Sequence, residues 1–108
     1  MRPSVFVLLL VACGDPTVLD GKGYSVSCAV EADCVGVFLG DQCAPCGCAN
    51  AAIATSDQVR YQADRTAARR ACGPQVAIAC APCQDRRPAC IELGNPLMQT
   101  LQFFCELR

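Results

Sequence analysis

At 108 residues, with nine basic and ten acidic side chains, the chain has the size of one small domain and is close to neutral. Phosphate binding along a nucleic acid needs a concentrated excess of Lys and Arg, so nucleic acid is not an expected partner. The absence of histidine removes the commonest general base and the commonest nitrogen ligand for a metal. Eleven cysteines stand out instead, and that density marks a chain held together by covalent or metal cross-links.

Residues 1–12 join a basic start, Met1-Arg2-Pro3-Ser4, to the apolar run Val5 to Ala12, the layout of an export signal. Eight helical residues reach only ~12 Å against ~30 Å of hydrocarbon, so the run is no spanning helix. It ends in Leu10-Val11-Ala12-Cys13-Gly14, which resembles the bacterial lipobox. That resemblance implies cleavage before Cys13 and a diacylglyceryl group on its thiol. The alternative is a plain secretory signal cut elsewhere. Parity is an independent argument for lipidation: eleven cysteines cannot all pair, and setting Cys13 aside leaves ten. Each buried methylene of an acyl chain contributes about 0.8 kcal/mol, and two or more chains anchor a protein stably. The expected address is the bacterial cell envelope, on the periplasmic or cell-surface side. The expected partners are a membrane, through the lipid anchor, and an envelope protein.

The layout read from the chain is a signal peptide over 1–12, a lipidated tether over 13–23 and a cysteine-rich α+β domain over 24–108. Residues 14–23 are rich in Gly, Asp and Pro and carry little apolar pattern, which predicts a flexible tether. Tyr24–Cys28 alternates as a half-buried strand does, and Cys34–Leu39 is a stronger strand candidate that stops at Gly40-Asp41. Pro45 and Gly47 keep Cys43–Cys48 irregular. Residues 56–72 read as a helix, with Thr55 and Gln58 at capping-box spacing and Gly73-Pro74 as the stop. Arg69 and Arg70 sit where the helix dipole favours positive charge. Val59, Ala63, Ala67 and Ala71 form a small-residue stripe, flanked by Ala68 and Cys72, that predicts close packing on a sheet. Tyr61, Arg65 and Arg69 lie partly outside that stripe.

Beyond the helix, Gln75–Cys80 reads as a strand and Gln84–Pro88 as a loop. Ala89–Leu93 and Leu101–Leu107 are the last strand candidates, joined by a turn beginning at Gly94-Asn95-Pro96. The expected fold is α+β: a small disulfide-rich domain with one helix packed on a short antiparallel sheet. Charge is uneven along it. Asp15, Asp20, Glu31, Asp33, Asp41 and Asp57 face only Lys22, while seven arginines lie from Arg60 onward. An acidic tether region beside a basic helix face is the plainer reading, and a dedicated anionic-ligand patch is the alternative.

The cysteines carry the remaining leads. Cys43-Ala-Pro-Cys46-Gly-Cys48 is echoed by Cys80-Ala-Pro-Cys83. In an oxidising compartment Cys28, Cys34, Cys43, Cys46, Cys48, Cys72, Cys80, Cys83, Cys90 and Cys105 are expected to form disulfides. Ten cysteines allow roughly 945 pairings. Of these, Cys72 is expected to join the Cys43–Cys48 cluster, and Cys46 is not expected to pair with Cys48. The two Cys-Ala-Pro-Cys pairs leave open a zinc site of four thiolates or a thiol–disulfide exchange protein. Against these stand six further cysteines, the wide gap between the pairs and the lack of a helix starting at Cys80 or Cys83. No metal or cofactor is expected. Ser25, Ser27 and Ser56 lack a base, and Asp33 and Asp41 read as turn and cap residues, so an enzyme is not expected. Gln84-Asp85-Arg86-Arg87-Pro88 is a basic loop clamped by cysteines, which leaves a protease inhibitor as a further alternative.

One resemblance runs through these residues. Ala32-Asp33-Cys34-Val35, Cys46-Gly47-Cys48 with Ala49-Asn50-Ala51-Ala52-Ile53, Tyr61, Cys72, Cys80, Cys83 and Cys90 follow in an order similar to a loose group of small cysteine-rich lipoproteins of Gram-negative bacteria, notably myxobacteria. It covers most of residues 28–105 and implies the fold and the cell address without implying a chemistry. The segment from Cys90 to Cys105 is longer here than the short cysteine hairpin expected in that group.

Overall fold

The computed structural model describes residues 16–95 and 100–108. Cys13, the signal over 1–12 and Pro96 of the expected turn lie outside the described residues. The strands are β1 (Val18–Leu19), β2 (Cys34–Val37), β3 (Gly40–Asp41), β4 (Ala51–Ala54), β5 (Pro88–Asn95) and β6 (Thr100–Leu107), and the helix α1 is Gln58–Ala71. The fold is α+β, with three antiparallel pairs, β1–β3, β2–β4 and β5–β6, and five disulfides.

The middle pair organises the rest through the two-residue period of a strand. Val35 lies opposite Ile53 and Val37 opposite Ala51, and these four residues pack with Tyr24 and Tyr61, the latter on α1. The alternate residues Cys34 and Ala52 pack with Cys105 and Leu107 of β6. The β2–β4 pair is thus sandwiched between the helix on one face and the β5–β6 hairpin on the other. Residues 25–27 stitch the two pairs together: Ala54 N–H donates to the Ser25 carbonyl at 2.7 Å and Cys105 N–H to the Val26 carbonyl at 2.7 Å. Only an isolated bridge, Ser27 to Phe104, forms where a strand over Tyr24–Cys28 was expected.

Several local expectations are corrected. The expectation of a flexible tether over 14–23 fails for residues 18–23, because Val18–Leu19 pairs with Gly40–Asp41 and Gly21–Gly23 forms a 3-10 turn capped by Asp20. No capping box forms at Thr55 and Gln58. Thr55 Oγ1 donates to the Ala32 carbonyl at 3.2 Å, residues 55–57 wind a 3-10 turn, and α1 begins at Gln58. The helix does end where Gly73 takes a left-handed φ of 73°.

The helix also turns a different face inward. Val59 is 83 % exposed, and Ala63, Ala67 and Ala71 are exposed with it, while Tyr61 and Ala68 are each 2 % exposed. Tyr61 alone offers a ring that buries ~150–250 Å², far more than an alanine stripe, and its hydroxyl finds partners. It accepts from Phe38 N–H at 3.0 Å and donates to the Phe38 carbonyl at 2.8 Å. Gln75–Cys80 forms no strand: it has alternation but no partner, and its residues are exposed.

Tyr61→Phe keeps the ring but strands the Phe38 N–H, whereas the Phe38 carbonyl retains a donor in Gln42 Nε2. The expected loss is ~1–3 kcal/mol in urea unfolding of the oxidised protein. Val59→Ala, on the exposed face, is expected to stay within about 0.5 kcal/mol.

Candidate functional site

The ten described cysteines are all bridged, as Cys28–Cys90, Cys34–Cys105, Cys43–Cys72, Cys46–Cys80 and Cys48–Cys83. Cys72 joins the Cys43–Cys48 cluster, and Cys46 and Cys48 go to separate partners. Both Cys-Ala-Pro-Cys pairs are split between partners, with neither motif closed on itself. A catalytic pair cycles through an internal disulfide and a zinc site needs thiolates, so these bridges occupy the sulfurs that either chemistry would use. The Sγ atoms of Cys28, Cys34 and Cys105 lie within 4.8 Å of one another. They belong to two disulfides side by side in the core, beneath the point where Cys90 and Cys105 face each other across β5 and β6.

The other three bridges form a ladder. Cys43, Cys46 and Cys48 meet Cys72, Cys80 and Cys83 in the same order, with Cα–Cα distances of 5.5, 5.6 and 5.6 Å. The first rung ties the end of α1 to the loop after β3. The other two hold residues 80–83 alongside that loop. Gly47, between two rungs, lies under the Phe38 ring, which a Cβ there would meet at 2.7 Å.

Between this ladder and α1 lies a cleft of about 280 Å³, walled by Phe38, Gly47 and the cystines and lined on its helix side by Arg65 and Arg69. Buried Gln42 completes its floor, with Nε2 donating to the carbonyls of Phe38 at 3.0 Å and Gly40 at 3.2 Å. A second depression of about 410 Å³ shares Cys46, Cys48 and Cys83 and adds Asn50 and Arg86. Sequence reasoning placed Arg65 and Arg69 on a basic helix face but had no means of setting Phe38 and Gln42 opposite them. The only signal was the unpaired charge of the arginine-rich second half.

A separate polar cluster locks the start of the domain to the helix. Tyr24 O–H donates to Asp64 at 2.5 Å, and its ring meets Tyr61 edge-on with centroids 5.8 Å apart. Arg60 lies over the Tyr24 ring at 4.9 Å, pairs with Asp57 at 3.2 Å and donates to the Gly23 carbonyl. Asp57 also accepts from Ser25 N–H at 2.6 Å. Burial, and then the bond to the Asp64 carboxylate, pushes the Tyr24 phenol up to about 12. Asp33 accepts from the Ala29 and Val30 N–H groups, which hold its carboxyl below its ordinary value of 3.8. Asp41 accepts from Cys43 N–H at 2.9 Å. The two carboxylates therefore cap separate turns.

The basic loop is exposed over residues 84–87. Arg87 N–H donates to the Arg108 carbonyl at 2.6 Å and Arg108 N–H to the Arg87 carbonyl at 2.8 Å. The Arg87 backbone is thereby committed to extending the β5–β6 ladder. No known protein family, curated protein or solved structure matches the chain.

The raised Tyr24 phenol has a signed consequence. Its contribution is fully present below the ordinary value of 10.0 and is lost as pH rises through about 12. Unfolding free energy followed from pH 9 to 12 is expected to fall across that window, and the Tyr24→Phe protein is expected to show a shallower fall.

Proposed function

We propose that the chain is a lipid-anchored protein of the bacterial cell envelope, tethered through Cys13 and presenting a disulfide-stapled structural or protein-binding module. The observation that supports this most directly is the pairing of all ten cysteines from Cys28 to Cys105. Five bridges use ten of the eleven cysteines and leave one over, Cys13, which directly follows the apolar run of residues 5–12. Five disulfides also favour an oxidising compartment, where such bridges persist. Among the described residues no helix is long and apolar enough to cross a membrane, so attachment in this reading falls to the acyl chains.

The module's partner in this reading is another envelope protein, met by a rigid surface. Rigidity matters because ordering flexible loops on binding costs about 0.5–1.5 kcal/mol for each immobilised side chain. The cystine ladder removes part of that cost in advance. The resemblance to small cysteine-rich lipoproteins points the same way.

The test is expression of the full chain in a bacterium with lipoprotein-processing enzymes, with radiolabelled palmitate and intact-mass analysis. The expected outcome is loss of residues 1–12, an added acyl mass and partition into membranes, all three abolished by Cys13→Ala. A mass that retains residues 1–12 and carries no acyl group contradicts the proposal.

A further inference from the structure

We infer that the cleft between α1 and the cystine ladder is a binding site for a phosphate group, free or carried as a monoester on a small organic body. Arg65 and Arg69 lie four residues apart and line the same cleft, so they stand one helical turn apart on one side of α1. Among the described residues neither has an ion-pair partner, because the acids of that region are engaged elsewhere: Asp57 pairs with Arg60, and Asp64 accepts from Tyr24. The Arg65 side chain is half-buried, and its Nε is enclosed without any hydrogen-bond partner. An enclosed guanidinium N–H is costly to leave unpaired, and groups of this kind are nearly always satisfied. A guanidinium turned toward an anion in the cleft gains the acceptor that the described residues do not supply.

The charge selects the class of anion. Two adjacent guanidinium groups with no compensating carboxylate are neutralised by a dianion, and the planar fork of arginine matches phosphate oxygens in a bidentate way. The cavity selects the size. The opposite wall is the Phe38 ring and the cystine rungs, an apolar surface suited to a carbon skeleton, and the cleft adjoins the depression that carries Arg86 and Asn50. A site of this shape holds the phosphate at Arg65 and leaves room for a sugar-sized body against the ladder. The site does not depend on the lipid anchor, so it stands or falls separately from the proposed envelope role.

The test is calorimetric titration of the oxidised full chain with two probes, inorganic phosphate and glucose 6-phosphate, at low and moderate salt. Saturable binding of one equivalent is expected, tighter for the monoester if the apolar wall takes part and equal for both if the phosphate alone is held. Arg65→Gln is expected to weaken it roughly tenfold or more, as loss of a charge-assisted hydrogen bond does, with Arg65→Lys restoring charge but only part of the affinity. Arg69→Gln, at an exposed position that folding tolerates, is expected to weaken binding as well, and Arg70→Gln is the control expected to leave it unchanged. No saturable binding up to about 10 mM, or equal losses at Arg65, Arg69 and Arg70, overturns the site. The latter pattern marks non-specific attraction to a basic helix.

Discussion

The interaction on which the rest of the structure depends is the threefold bridging of Cys43, Cys46 and Cys48 to Cys72, Cys80 and Cys83. Residues 74–86 make no backbone-to-backbone hydrogen bond among the described residues and lie exposed. A segment of that kind has no means of holding one position by packing. Two cystines do it covalently, closing spans of 34 and 35 residues. Each such closure typically stabilises a domain by ~2–4 kcal/mol through its restriction of the unfolded chain. The third rung, Cys43–Cys72, fixes the end of the helix to the same loop, so the placement of α1 and of the trailing segment is a single problem with a single solution.

The remaining two bridges work on a different part of the molecule. Cys28–Cys90 and Cys34–Cys105 fasten the C-terminal hairpin to the face of β2–β4 that the helix does not cover. The core is otherwise modest, with Tyr61 and Ile53 its largest fully buried side chains. A domain of this size buries a limited fraction of its surface, and cross-links supply what packing does not. The proposed anion site depends on the same arrangement. Holding residues 80–83 away from the helix opens the cleft into which Arg65 and Arg69 project, and a surface braced at both ends keeps that cleft formed before any ligand arrives.

Much of this was legible in the residues. The helix, its stop at Gly73, the β2 strand and both strands of the C-terminal hairpin follow from periodicity and turn chemistry, and the join between Cys72 and the Cys43–Cys48 cluster follows from proximity to the helix end. What sequence reading misjudged were choices between two patterns that both fit. Val59, Ala63, Ala67 and Ala71 make a regular helical stripe, but Tyr61 and Ala68 make another, and buried area together with the Phe38 hydrogen bonds decides in favour of the ring. Gln75–Cys80 alternates like a strand, yet a strand needs a neighbour, and its covalent partners lie in an irregular loop. Val18–Leu19 looked like linker because a two-residue strand is too short to carry a period. The cleft was invisible because Phe38, Gln42 and Arg65 come together only through pairing of cysteines far apart in the chain, one arrangement among roughly 945.

The most direct test of this account is disulfide mapping of the natively oxidised protein, by proteolysis without reduction at mildly acidic pH followed by mass spectrometry of the linked peptides. The expected pairing links Cys43 to Cys72, Cys46 to Cys80 and Cys48 to Cys83, together with Cys28 to Cys90 and Cys34 to Cys105. A peptide carrying Cys80 bridged to Cys83, or Cys43 bridged to Cys46, contradicts it. Either result would dismantle the ladder and with it the wall of the arginine cleft.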